Sequence, residues 1–316
     1  MEEGDFDYLC ALLFADDGEH TYAIVDGASC DELISHLDEM EPDYWCLYAG
    51  ELESDVEAAA PHLVELVRGA PFTDWLLRNM FGPHWGIVLR SPLDIRAMRK
   101  HFRTFLLVRD PSGSSLYFRY YDPRVLKNFI RIGAPEKVSR ILGSAAFIVL
   151  EKEGPDSVIL LIRKDGGGFS TSEYKWSELP RAIDLHAPPV EEFNGRPDML
   201  ISSEEMDAFD AIAAQDFCKR AQLHVKTLFP DDERVANPDT LAAFIETEIQ
   251  AASAHGFELE RDVVRYLQLS FQLGTDFPAK PWALSVLQDA ALQSSEKLDL
   301  LWELASDQFT GALANT

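Results

Sequence analysis

Residues 116–126 read LYFRYYDPRVL and carry the strongest structural signal in this chain. Four aromatic residues surround Arg119 on a stretch that is typical of a strand. Asp122 and Pro123 then indicate the start of a helix, because aspartate caps a helix well and proline fits its first turn. The preceding tetrapeptide DPSG at 110–113 suits a type I turn. The sequence therefore predicts a hairpin that runs directly into a helix.

The charge of the chain excludes some classes of partner. Its 316 residues have a formal net charge of −26, which argues against nucleic acid and against anionic membrane surfaces as partners. Residues 1–67 hold 19 acids and no Lys or Arg, residues 78–140 hold 13 bases and 4 acids, and the residues from 197 onward hold 21 acids and 8 bases. Internal neutralisation is the simpler interpretation. The alternative is that part of the basic middle forms a recognition patch.

The cellular location is suggested by three features. No apolar run reaches the roughly 20 residues needed to cross a bilayer. The N-terminus is acidic and has no secretory cleavage site. The four cysteines are widely spaced in apolar surroundings, as is typical of buried thiols in a reducing compartment. We therefore expect a cytoplasmic protein.

The order of helix and strand signals predicts the fold class and the domains. Short β-rich runs alternate with helix signals in the first half, where Ser29 is expected to cap a helix and 61–69 to form another. Prolines cluster before 197, and every strong signal beyond them is helical. We predict an N-terminal α/β or α+β lobe, 1–180, with a mixed β-sheet flanked by helices. A Pro-rich linker, 181–196, then leads to an all-α C-terminal lobe, 197–316.

Motifs for catalysis, metals and cofactors are weak. The eight histidines form no HExxH motif and no pair four residues apart, and they do not group with cysteines as a zinc site requires. The glycine-rich stretch KDGGGFS at 164–170 has its lysine before the glycines, which favours a turn over a phosphate loop. Asp26, followed by Gly27, is expected to form a turn. We therefore expect no catalytic residue, no cofactor and no metal.

Two arginines in LYFRYYDPRVL are suited to recognition. Arginine can stack on aromatic rings and bind a carboxylate with two hydrogen bonds. The sequence leaves two roles open: an internal pair, of Arg124 with Asp122 or with an acid from the N-terminal part, or contact with a partner chain. Trp45 is expected in the core. The candidate partner-binding or lobe-bracing residues are Arg99, Arg103, Arg119, Tyr121, Asp122 and Arg124.

Three segments resemble a known family. YAIVDGA at 22–28, WGIVLRS at 85–91 and LYFRYYDPRVL, together with LYAG at 47–50 and the helix at 93–108, resemble the family labelled domain of unknown function 4123. Its members are adaptor chaperones of bacterial type VI secretion systems. The resemblance covers about residues 20–145. It implies a non-enzymatic, cytoplasmic adaptor that binds a cognate toxic effector protein and assists its loading onto a VgrG or PAAR spike component.

Two other functions remain open from the sequence. A small-molecule enzyme would bring Arg119, Arg124 and Asp26 together in an arginine-lined pocket. An immunity protein that neutralises a toxin would protect cells that express both. For the adaptor, we expect an effector segment to bind in the cleft between the lobes or in an apolar groove of the helical lobe.

Overall fold

The computed structural model describes residues 1–15, 18–152, 156–164, 168–180, 183 and 199–313, with side chains as far as Ser306. By internal packing the chain divides into two compact units, 1–209 and 210–316. The strands are β1 His20–Asp26, β2 Tyr44–Cys46, β3 Pro61–Leu66, β4 Gly86–Ser91, β5 Leu107–Arg109, β6 Ser115–Tyr117, β7 Phe147–Glu151, β8 Ser157–Arg163 and β9 Phe169–Lys175. The α-helices are α1 Glu3–Leu13, α2 Leu33–Met40, α3 Ser54–Ala58, α4 Pro71–Asn79, α5 Ile95–Arg103, α6 Pro123–Ile132, α7 Pro135–Leu142, α8 Ser203–Leu228, α9 Pro238–Ala254, α10 Glu260–Leu273, α11 Pro281–Leu287 and α12 Ser294–Leu313.

A seven-stranded sheet in the order β2-β3-β1-β4-β7-β8-β9 organises the first unit. Each pair of neighbouring strands in it is antiparallel. In β1, Tyr22 and Ile24 pack into one core, while Ala23 and Val25 pack into a second core on the opposite face. A strand that is buried on both faces reads as a continuous apolar run, which explains the sequence YAIV. The predicted class, a sheet flanked by helices, is confirmed.

Helices cover both faces of this sheet. The core on one face takes its helical side chains from α5, α6 and α7, and it also receives side chains from the β5–β6 hairpin. The core on the other face takes its helical side chains from α1, α2 and α4. The chain thus builds two apolar layers, and the hairpin with its following helix belongs to the first of them.

The predicted hairpin and helix are both present. Leu107 lies opposite Tyr117 in the hairpin, and the Asp110 carboxylate closes its turn by accepting hydrogen bonds of 2.8 Å from the Ser114 backbone N–H and 2.7 Å from the Ser112 hydroxyl. The strand β6 is shorter than predicted, since it ends at Tyr117. The aromatic residues that follow it turn into the core, and α6 begins as expected at Pro123.

An extended segment at 199–201 completes the hairpin. The Arg109 backbone N–H donates to the Met199 carbonyl at 2.9 Å, and the Ile201 N–H donates to the Arg109 carbonyl at 2.8 Å. Met199 and Ile201 are buried in the first core. Just beyond, the Glu205 carboxylate accepts a hydrogen bond of 3.0 Å from the N–H of Ala134. Residues 199–209 therefore pack with the first unit.

Two local predictions in this unit are wrong. Residues 61–66 form the strand β3 between β2 and β1, and not a helix. The short apolar run fits either element, and proline is tolerated as the first residue of a strand. The helix predicted from Ser29 begins only at Leu33. The Ser29 hydroxyl is bonded to the Asp26 carboxylate at 2.8 Å, so it closes the turn after β1.

The second unit is helical, as predicted. Its core is formed by apolar side chains of α8 to α12, together with Phe257 and Phe277 from the connections between these helices. The Asn237 side chain caps α9 by accepting from the N–H groups of Asp239 at 3.0 Å and Thr240 at 3.2 Å. The predicted linker lies, apart from Ile183, outside the described residues. The domain bounds of 1–180 and 197–316 stay predictions.

Candidate functional site

A groove with a volume of about 1110 Å³ opens on the first unit. It is formed by β2 and the loop after it, α3, α5 and the β5–β6 hairpin, so all of its lining residues fall between Trp45 and Tyr117. Among the described residues that line it, none is acidic and five are basic: Arg96, Arg99, Lys100, Arg103 and Arg109. The groove therefore gathers five of the 13 basic residues of the segment 78–140 on one surface.

Helix α5 presents most of these basic side chains because it is strongly amphipathic. Its apolar positions Ile95, Met98 and Phe102 recur at helical spacing and are buried in the first core. The opposite face consequently carries the cations. The start of α5 is fixed by Asp94, whose carboxylate accepts a hydrogen bond of 2.8 Å from the Ala97 N–H. The basic residues in the last turn of α5 interact favourably with the negative end of the helix dipole.

Arg99 is held in place at one side of the groove. Its guanidinium lies 4.8 Å from the centroid of the Trp45 ring, and its Nε donates to the Cys46 carbonyl at 3.0 Å. Burial, followed by the nearby charge of Arg103, lowers the pKa of Arg99. Both effects disfavour the positively charged form of Arg99.

The cations of α5 lack acidic partners in the described part of the chain. No carboxylate of the described residues lies within 4.0 Å of the charged groups of Arg96, Arg99, Lys100 or Arg103. The internal neutralisation considered from the sequence therefore does not extend to this helix. An anionic group that enters the groove would meet four cations without displacing an existing ion pair.

Apolar side chains are also exposed in the groove. The exposed fractions are 36% for Trp45, 42% for Val56, 51% for Leu107 and 67% for Tyr117. Trp45 was expected in the core, and that expectation is wrong. Two aromatic rings and two aliphatic side chains beside cations are typical of a surface that binds another chain.

The corner formed by LYFRYYDPRVL is built around two ion pairs. The Arg119 guanidinium binds the Asp26 carboxylate, and this carboxylate also accepts hydrogen bonds from the Ala28 N–H at 3.3 Å and the Ser29 hydroxyl. Burial lowers the pKa of Arg119, but the charge and hydrogen bond of Asp26 outweigh it, so this pKa is raised. The pair joins the turn after β1 to the segment between β6 and α6.

The second pair is local. The Asp122 Oδ1 accepts from the Arg124 backbone N–H at 2.9 Å and so caps α6. The same carboxylate accepts two hydrogen bonds from the Arg124 guanidinium, from Nε at 3.0 Å and from a terminal nitrogen at 2.7 Å. Burial raises the pKa of Asp122, yet the bonds from Arg124 outweigh it and the pKa lies below its ordinary value. This internal pair is one of the two roles that the sequence left open.

The corner also supports the groove. Tyr48 packs against the first core, which contains Tyr121, and burial raises the pKa of both hydroxyl groups. Tyr48 lines the groove, where its ring centroid lies 5.9 Å from that of Tyr117. Tyr121 is buried, so the core that contains this corner residue supports an aromatic side chain of the groove.

The structure separates the predicted site residues into two groups. Arg99 and Arg103 line the groove, whereas Arg119, Tyr121, Asp122 and Arg124 form the corner. Sequence reasoning missed the exposed side chains of Trp45, Val56, Leu107 and Tyr117. No pattern in the sequence distinguishes them from core residues. The spacing of Arg96, Lys100 and Arg103 at i, i+4 and i+7 is the signal that could have placed those cations on one face.

The described residues contain no group of three or more His, Cys, Asp or Glu side chains placed to hold a metal ion. Among these residues, too, no helix has the length and apolar character required to span a bilayer.

Comparison with known proteins identifies one family. Residues 21–140 match the family described as "Domain of unknown function (DUF4123)", so the chain contains a DUF4123 domain in its first unit. The match includes β1 from Thr21 onward, the corner and every lining residue of the groove. No curated protein and no solved structure matches the chain at a significant level.

Proposed function

We propose that this protein is a cytoplasmic adaptor chaperone that binds a specific effector of a type VI secretion system and assists its loading onto the VgrG or PAAR spike. The observation that carries the proposal is the DUF4123 domain at 21–140, within which the whole basic groove lies. The family resemblance supplies the secretion role, and the groove supplies a surface on which a partner chain can bind.

The chemistry of the groove supports binding of another chain. The cations of α5, which lack acidic partners among the described residues, favour fast association with a partner of opposite charge and discriminate against partners of like charge. Exposed aromatic and aliphatic side chains contribute apolar area that a partner would bury. Neither feature requires a reaction at the site. The proposal is accordingly a non-enzymatic role.

The arrangement of the corner argues against the enzyme alternative. That alternative needs Arg119, Arg124 and Asp26 to face a substrate in one pocket. Arg119 instead binds Asp26, and Arg124 binds Asp122 with two hydrogen bonds. Since these carboxylates already occupy the two guanidinium groups, a substrate anion would have to displace them.

The test uses the bacterium that encodes the protein. A tagged full-length chain is expected to co-purify with the product of a neighbouring toxin gene. Deletion of the adaptor gene is expected to abolish secretion of that toxin while a second effector of the same system is still secreted. Normal secretion of every neighbouring toxin in the deletion strain would overturn the proposal.

The same strains distinguish the alternatives. An immunity protein would protect cells from the toxin when the two are co-expressed without the secretion system, and an adaptor need not protect them. If the deletion strain secretes the toxin normally but is killed by it, the protein is an immunity protein and the adaptor proposal fails.

A further inference from the structure

We infer that the groove binds an acidic segment of a partner protein, with Asp or Glu side chains facing α5 and apolar side chains seated on Trp45, Val56, Leu107 and Tyr117. This inference rests on the proposed function and specifies the chemistry of its partner. It places the partner in the first unit. The sequence had suggested the cleft between the lobes or the helical lobe.

Charge complementarity is the first argument. The described lining residues hold five cations and no carboxylate, although the chain as a whole has 54 acids against 28 bases. Arg99 is half-buried against Trp45, which reduces its contact with water. A carboxylate that reaches it would form a charge-assisted hydrogen bond at a partly desolvated site, where such bonds are strongest.

The apolar side chains define the second half of the recognition. Val56 and Leu107 are aliphatic and exposed, and they would be buried by aliphatic or aromatic residues of a peptide. The volume of about 1110 Å³ exceeds the range of roughly 300–1,000 Å³ that is usual for small-molecule pockets. A polypeptide segment fits both the size and the mixture of charged and apolar contacts.

The border of the groove disfavours a uniformly charged polyanion. Leu52 and Val56 line the groove, and the intervening and flanking positions carry four exposed acids, Glu51, Glu53, Asp55 and Glu57. A phosphate backbone is negative along its whole length and would be repelled at this border. A peptide can place its acids toward α5 and its neutral side chains toward α3. The inference is therefore an acidic peptide and not a nucleic acid.

The test is selection from a displayed library of random peptides of about twelve residues, which span ~40 Å when extended. The full-length protein is the bait. Recovered peptides are expected to be enriched in Asp and Glu combined with Leu, Ile, Val or Phe. The two best peptides are then synthesised with a fluorescent label, and their Kd values are measured by anisotropy at several salt concentrations.

Two groove variants and one matched control complete the design. Arg99→Glu/Arg103→Glu and Arg96→Glu/Lys100→Glu should each weaken peptide binding about tenfold or more. The second variant changes exposed side chains only and should fold normally, so it can test the groove even if the first variant is unstable. The control Arg68→Glu/Arg131→Glu makes the same change in charge at exposed positions outside the groove and should leave Kd within about twofold.

Three outcomes would overturn the inference: no enrichment of acidic peptides, equal loss of affinity in the control, or equal affinity for single-stranded oligo-dT of matched charge. The last would assign the groove to polyanions. Failure here is distinguishable from failure of the proposed function. If the toxin still co-purifies with both groove variants, the adaptor role stands and the partner binds elsewhere.

Discussion

Replacing Asp122 with alanine is expected to lower the free energy of unfolding by about 1.5–2 kcal/mol. Loss of the α6 cap, a hydrogen bond of 2.9 Å from the Arg124 N–H, accounts for about 1 kcal/mol. The paired guanidinium adds only about 0.5–1 kcal/mol, because 55% of the Arg124 side chain is exposed and water can replace the lost carboxylate. The variant therefore measures a cap and a half-exposed ion pair together.

Urea denaturation followed by circular dichroism, with exchange of the α6 amide hydrogens as a local readout, measures this change. The matched control is Asp122→Asn, whose amide oxygen still caps the helix but carries no charge, so it should lose only the contribution of the ion pair. The reasoning is refuted if the alanine variant matches wild type within error. It is also refuted if asparagine is as damaging as alanine, since the cap would then contribute nothing.

The pH dependence of this difference has a definite sign. The pKa of the Asp122 carboxyl is lower in the folded state than its ordinary value of about 3.9. Its stabilisation is therefore complete above that ordinary value and is lost as the pH falls through the folded-state pKa. The stability difference between wild type and the alanine variant should shrink in acid. A difference that grows in acid would contradict the assignment.

Three other variants test separate parts of the first unit. Gly86→Ala places its Cβ 2.0 Å from a backbone oxygen of β1 and should destabilise the protein by more than about 3 kcal/mol. The control Gly4→Ala meets nothing within 4 Å and lies in α1, so it should melt at or slightly above the wild-type temperature. Arg119→Met leaves the buried Asp26 carboxylate without its cation and should lower the free energy of unfolding by about 2–3 kcal/mol. In a double-mutant cycle, Asp26→Asn should recover part of this loss. If the two substitutions change the stability in a strictly additive way, the ion pair is refuted. Burial lowers the pKa of His101, so the contribution of this side chain to stability is complete above about pH 6.5 and is lost as the pH falls further. Urea denaturation at high and low pH should show that the free energy of unfolding of His101→Gln depends less on pH than that of wild type. An unchanged pH dependence would refute the role of His101.

The corner was predictable because its signals are local. The turn at 110–113, the cap at Asp122 and the pair with Arg124 all depend on residues close together in the chain, and all of them are present. The pair of Arg119 with Asp26 joins residues far apart in sequence. The sequence offered an acid of the N-terminal part only as an alternative partner of Arg124, whereas the structure pairs such an acid, Asp26, with Arg119.

The elements that sequence reasoning missed are those whose patterns fit two structures. The run at 61–66 is apolar and short, and only its place between two strands of the sheet makes it a strand. Trp45 has the composition of a core residue, yet β2 lies at the sheet edge and leaves its ring 36% exposed. Both errors concern the position of a residue in the tertiary structure, which the spacing of apolar residues in a single sequence does not reveal.

The packing of residues 199–209 with the first unit determines which fragments of the protein should fold. A fragment that ends at residue 180 would lack Met199, Ile201 and the Glu205 carboxylate, and would leave the outer edge of β5 without its backbone partner. Such a fragment is expected to aggregate through that edge. A single protease cleavage between 184 and 198 should, in contrast, yield two pieces that stay associated through this segment. Fragment complementation, with 199–209 kept on the C-terminal piece, is thus a direct route to an inducible version of this protein.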